Sequence, residues 1–261
     1  MPEYSMAQIK AAYIQKKDWE KQFPVSYYVF RPLSFYLTFL IVRITGSASA
    51  VAWFGLIVGL LASVSLVAIH YITIWPGIIL LALFALLDAV DGNIARVTKT
   101  VTYYGKYLDG VIGMLVESIY FLWLGVGLYL SSQEFRMFGS RDFHLTVKSF
   151  VIIAGAVILF CKLCSSLIEN MYDNLYIQKQ KDEGKFHDSL TNVIQSSTYR
   201  GLWWHEIYVN LNAFNLQVLL LAVSAVFGVI HLFLLFFALY YFVRMLTVMV
   251  FYFRRGKDRL G

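Results

Sequence analysis

Apolar positions in this chain run in long unbroken blocks rather than alternating with polar ones. Runs of about 20 apolar residues suit helices that cross the hydrocarbon core of a bilayer. They predict six spans, near 49–69, 77–95, 107–130, 150–171, 212–229 and 232–253. Only the turn around Gly228-Val-Ile-His231 separates the last two, so they should form a tight hairpin. Trp75-Pro76-Gly77 punctuates the turn before the second span, because proline fits the first turn of a helix. The fold class expected is an all-α integral membrane protein with six transmembrane helices. The pattern contains no internal repeat and no low-complexity segment.

The first 48 residues read differently. Met6, Ile9, Tyr13 and Ile14 fall near one helical face, while Lys10, Lys16, Lys17 and Lys21 supply charge. That pattern predicts an amphipathic helix lying on the membrane surface. The stretch Leu33–Arg43 is apolar but short, and is read as part of the same interfacial system or as a half-span dipping into the bilayer. The expected organisation is thus an interfacial region, 1–48, followed by a six-helix domain, 49–261.

Composition supports the membrane setting: 59% of residues are hydrophobic, 15% are charged and the mean hydropathy is +0.64. Nothing in the polar first thirty residues resembles a signal peptide. The net charge of +6 fits basic loops beside anionic headgroups and does not argue for nucleic acid. The N-terminal segment carries six Lys and Arg, the 96–106 loop three, the 172–211 loop four and the C-terminal tail four, against three in all the opposite loops. That bias of 17 to 3 places both termini and the 96–106 loop in the cytoplasm. Cys161 and Cys164, i and i+3 within one apolar run, read as small apolar helix residues.

One polar cluster interrupts the apolar pattern. Asp88, Asp91, Gly92, Ala95 and Arg96 end the second span, and Gly105 and Asp109 begin the third. Carboxylates at membrane depth are costly and point to function. Asp88 and Asp91, three apart, share one helix face, and such a pair suits a hard divalent cation bound through oxygen. Asp109 would join them from the next helix.

This arrangement resembles the signature of the CDP-alcohol phosphotransferase (CDP-alcohol phosphatidyltransferase) family, D-x2-D-G-x2-A-R-x8-G-x3-D-x3-D. Asp88, Asp91, Gly92, Ala95, Arg96, Gly105 and Asp109 match in identity and spacing. Six spans, a surface helix before the first and a motif bridging spans two and three are also similar to that family. The resemblance implies a transferase that displaces CMP from a CDP-linked alcohol and moves the substituted phosphoryl group to an acceptor. It implies Mg²⁺ or Mn²⁺ on Asp88, Asp91 and Asp109, nucleotide or phosphate contacts from Asp88, Gly92, Ala95, Arg96 and Gly105, and a homodimer. Gly92 and Ala95 lack the bulk that would keep a nucleotide away. Arg96 offers a planar set of donors, and Gly105 permits a tight entry into span three.

The signature's last aspartate is replaced by Gly113. In the family that residue is assigned to deprotonating the acceptor hydroxyl, so its loss leaves three readings open. Glu117, on the same face one turn deeper, is a candidate replacement base. Alternatively the acceptor is an already ionised phosphate or phosphonate, or the protein binds a CDP-alcohol without turning it over. Lys162 is a candidate for holding an acceptor phosphate; a snorkelling lysine or a pair with Glu169 competes with that role. The 172–211 loop, with Lys179, Lys181, Lys185, His187, Arg200, Trp203, Trp204 and His205, is a candidate cover for the acceptor site. A small cation transporter is the reading from another class, though the chain lacks the second half such folds show. The location expected is a prokaryotic plasma membrane, with lipid or a small alcohol or phosphate as acceptor.

Overall fold

The computed structural model describes residues 4–68, 74–131, 141–183 and 203–260. Among these every regular element is helical. The chain begins with α1 (Met6–Glu20), a single π-helical turn (Ser26–Phe30) and α2 (Arg31–Ile41). Then follow α3 (Ala48–Ser65), α4 (Ile74–Val97), α5 (Tyr103–Leu130) and α6 (Arg141–Asp182). Three more, α7 (Trp203–Asn212), α8 (Phe214–Val226) and α9 (Ile230–Leu260), complete the described elements.

Among the described residues five helices are long and apolar enough to cross a membrane: α3, α4, α5, Ser149–Asp182 within α6, and α9. The expected fifth span, 212–229, departs from its prediction. The apolar run there forms α8, a helix of only 13 residues, roughly 20 Å at 1.5 Å per residue and too short to cross unaided. Extended backbone at Ala213 (φ −74°, ψ 121°) separates it from α7. A side chain absorbs the polar groups freed by that break. Fully buried Gln217 donates from Nε2 to the Leu211 carbonyl at 2.9 Å and to the Tyr241 hydroxyl at 2.6 Å, and its Oε1 accepts from the Tyr120 hydroxyl at 3.0 Å. Backbone groups at membrane depth must be satisfied internally; here α8 and α9 do so.

The hairpin between α8 and α9 is as expected. Gly228 adopts the left-handed conformation (φ +69°), and Val229 N–H reaches back to the Ser224 carbonyl at 2.8 Å, the close of a Schellman-type helix end.

The N-terminal region is helical, but its buried face differs from the expected one. Ile9 and Tyr13 are buried and pack with Phe35 of α2, whereas Ile14 is 64% exposed. The element after residue 31 is a continuous helix packed along the end of α4. Its buried stripe is Arg31, Ser34, Phe35 and Thr38, a mostly polar face.

The main core lies where α3, α4, α5, α8 and α9 meet, and it contains fully buried Leu81, Val116, Tyr120, Phe121, Phe237 and Tyr241. Helices α5 and α6 pack closely through two glycines. A Cβ on Gly155 would sit 2.6 Å from the Phe121 carbonyl oxygen, and one on Gly125 would sit 2.8 Å from that of Val151. Small residues let helix backbones approach in this way. Gly155→Ala is therefore expected to destabilise the fold by about 1–3 kcal/mol through overpacking. Thermal unfolding in detergent checks this, and an unchanged midpoint would contradict the close approach.

Candidate active site

Three helix ends meet around a pocket of about 170 Å³. The first turn of α3 contributes Ala48, Ser49 and Ala52; the end of α4 contributes Asp91, Gly92, Ala95 and Arg96; and α5 with its leading loop contributes Thr100–Thr102, Gly105, Lys106, Leu108 and Asp109. Six of the seven motif residues thus line one cavity, with Asp88 one turn deeper on α4.

Local rules explain the geometry. Ser47 caps α3, its Oγ accepting from Ala50 N–H at 3.2 Å, and Thr102 caps α5, its Oγ1 accepting from Gly105 N–H at 3.0 Å. The positive ends of two helix dipoles therefore border the pocket, a natural setting for an anion. Between them α4 ends at Val97. Lys99 takes a left-handed conformation (φ 57°), and Thr100 N–H reaches the Ala95 carbonyl at 2.9 Å, which turns the chain sharply into α5.

Gly92 has a more specific role than low bulk. A Cβ there would lie 3.2 Å from Arg96 Nη2, so the missing side chain makes room for the Arg96 guanidinium, which folds back along its own helix. Gly105 is close-packed against its cap, with Thr102 Oγ1 3.2 Å from a would-be Cβ.

The carboxylates approach one another across α4 and α5. Asp88 is within side-chain hydrogen-bonding reach of Asp109, and Asp91 and Glu117 lie near enough to act on it electrostatically. Asp91 is 8% exposed, while Asp88 and Asp109 are exposed. Among the described residues no three His, Cys, Asp or Glu side chains converge into a ready-made metal-ligand set. The donor chemistry nevertheless fits a hard divalent cation: carboxylate oxygens on facing helices, whose mutual repulsion a cation would relieve.

Glu117 and Lys162, separate candidates in the sequence, are brought together. Lys162 Nζ donates to Glu117 Oε2 at 3.2 Å and lies 4.9 Å from the centre of the Tyr241 ring. Lys162 does not pair with Glu169, whose partner is Arg244 on α9 at 2.9 Å. At Gly113 a Cβ would meet no atom within 4 Å, so the position left bare by the missing aspartate opens onto free space. Lys185, His187 and Arg200, proposed as part of a cover, lie outside the described residues, as do the side chains of Trp203, Trp204 and His205.

Sequence reading missed a polar network behind the pocket. Buried Glu20, at the end of α1, pairs with Arg31 of α2 through Arg31 Nη2 and, at 2.8 Å, through Nε. Glu20 also accepts hydrogen bonds from Tyr13 and from Ser26 Oγ, the latter at 3.1 Å. Burial, and then the bond to Glu20, holds the Tyr13 phenol well above its ordinary range. Arg31 continues to Asn93 of α4. Asn93 stands at a variable position of the motif; the sole hint in the sequence is that an amide inside an apolar helix needs partners.

Residues 47–163 match the family model described as CDP-alcohol phosphatidyltransferase. The match covers α3, α4, α5 and the first half of α6, and so takes in the whole pocket. No curated protein matches the chain.

Breaking the network should be costly. Arg31→Met would leave Glu20 buried without its cation, an expected loss of about 3–5 kcal/mol. Replacing both with Met should recover most of that loss. Unfolding midpoints of the two variants check this, and a wild-type midpoint for Arg31→Met would refute it.

Proposed function

We propose that this protein is a membrane transferase that displaces CMP from a CDP-linked alcohol and passes the substituted phosphoryl group to an acceptor alcohol, in the synthesis of phospholipid or a related glycolipid or polymer. The observation that carries this reading is the pocket between α3, α4 and α5. It places two helix N-termini, Arg96 and Lys106 beside Asp91 and Asp109. An anionic diphosphate escorted by a divalent cation needs both kinds of wall. The family match over the same helices supports the donor class.

In this reading Asp88, Asp91 and Asp109 hold Mg²⁺ or Mn²⁺. When bound, the ion neutralises charge on the diphosphate and on the leaving CMP. The first-turn amides of α3 and α5 orient phosphate oxygens. Arg96 donates to phosphate from over Gly92, Ala95 leaves space for the nucleotide, and Gly105 contributes its backbone to the phosphate-binding wall. Glu117 is the candidate base, one turn beyond Gly113, with its carboxylate held in place by Lys162. The six-crossing topology is proposed too, α7 and α8 together making the fifth crossing. Charge bias puts both termini and the pocket in the cytoplasm. A homodimer in a prokaryotic plasma membrane completes the proposal.

The pairing of Glu117 with Lys162 also favours a second reading. A carboxylate already engaged by an ammonium is poorly placed to take a proton, and Lys162 is suited to an anionic acceptor. A phosphate or phosphonate oxygen, ionised at neutral pH, would then attack the donor phosphorus without a base. Lys162 would be its docking cation.

CMP release by purified protein with Mg²⁺, over a panel of CDP-alcohols and lipid extracts, tests the transferase. Asp91→Ala is expected to reduce release to background while the protein stays folded; full activity in that variant would refute the metal assignment. Glu117→Gln should cost on the order of 10²–10⁴-fold if Glu117 transfers the proton, and next to nothing if the acceptor arrives ionised. Gly113→Asp fits the free space beside it, and increased transfer to hydroxyl acceptors is its expected signature.

A further inference from the structure

We propose that Asn93 is a positioning residue for nucleotide recognition, holding the Arg96 guanidinium at the pocket wall and tying it to the surface helices. The inference rests on reading the pocket as a nucleotide site. Asn93 is 2% exposed. Its Oδ1 accepts from Arg96 Nη2 at 2.9 Å and from Arg31 Nη1 at 3.1 Å. Its Nδ2 donates to Ser34 Oγ at 3.2 Å and to Thr38 Oγ1 at 3.1 Å.

The direction of this amide is forced by its neighbours. The Ser34 hydroxyl donates to the Arg31 carbonyl at 2.8 Å, and that of Thr38 donates to the Ser34 carbonyl at 2.6 Å. Both hydroxyl protons are therefore committed, and Ser34 and Thr38 present only acceptors to Asn93. The amide must turn its NH₂ to these two hydroxyls and its oxygen to the two arginines. A flipped amide would point donors at two guanidinium groups.

Charge is divided unequally across the network. Arg31 is neutralised by its buried pair with Glu20. Asn93 offers Arg96 a neutral acceptor, so that bond cancels none of its charge, and the nearby carboxylates of Glu20 and Asp91 act on it electrostatically. Its Nε is buried with no hydrogen-bond partner among the described residues, while the residue lines the pocket. An aspartate at 93 would satisfy the same arginine and cancel the charge that an anionic ligand needs. The neutral amide thus fixes a cation without spending it.

Titration calorimetry of the full chain in detergent, with CMP and Mg²⁺, tests the proposal. Wild-type protein is expected to bind CMP, and absence of binding would remove the nucleotide reading and this proposal with it. Given binding, Asn93→Leu is expected to weaken CMP by about tenfold, the scale of one hydrogen bond to a charged group. Arg96→Ala should weaken it at least as much. The double variant should bind no more weakly than Arg96→Ala alone, because both changes remove one interaction. Wild-type affinity in Asn93→Leu, or additive losses in the double variant, would overturn the positioning role while leaving the nucleotide reading intact. Should Asn93→Leu fail to fold, Thr38→Val removes one anchor on α2 without touching the pocket. It is expected to weaken CMP by about two- to fivefold, and only when Arg96 is present; unchanged affinity would again overturn the proposal.

Discussion

A charged side chain among apolar helices is stable only beside its counter-charge, and most of this architecture follows from that demand. Glu20 meets Arg31, Glu117 meets Lys162, and Glu169 meets Arg244. The pairs join α1 to α2, α5 to α6, and α6 to α9. Buried pairs add little net stability compared with well-packed apolar side chains, but a pair missing one member is heavily penalised. They therefore act as register pins. A helix sliding by one turn would leave a buried charge alone. Gln217 does the same for neutral groups, fastening the broken end of α7 to α5 and α9.

The pocket lies where this rule is relaxed. Asp88 and Asp109 face one another on adjacent helices, an arrangement of like charges that costs energy until a cation or proton intervenes. The surrounding helix starts draw anions to the same place. Both features suit the metal-bound diphosphate proposed as its ligand. The pocket's cost is offset elsewhere, by the dense core of α5, α8 and α9, while the Glu20–Arg31 network sets the position of α4 from behind. The backbone reaches this geometry through local devices: two N-caps, one left-handed residue at Lys99, and a glycine that leaves room for the Arg96 guanidinium.

Several parts of this arrangement were legible from residue order. Blocks of apolar residues marked the five long helices, because a helix that faces lipid or core on all sides carries an apolar residue at nearly every position. Spacing within the motif put Asp88 and Asp91 on one helix and Asp109 on the next, since helical geometry is local. The break at Ala213 escaped notice because no proline or glycine marks it; the groups that make it tolerable come from Gln217 and Tyr241. The buried face of α1 was misjudged at Ile14 because its apolar pattern is weak, and packing against Phe35 and the Glu20–Arg31 pair chose the face.

The sequence by itself determined the class of fold, the polar cluster and its chemical kind, for these depend on hydropathy and on short-range helical spacing. Only the tertiary structure decided who partners whom: Lys162 with Glu117 rather than Glu169, Arg96 with Asn93, and Arg31 with Glu20. Such choices depend on distances between helices far apart in the chain. The long-range requirement that every buried charge and amide be satisfied at once selects one set of pairings from many that local spacing allows.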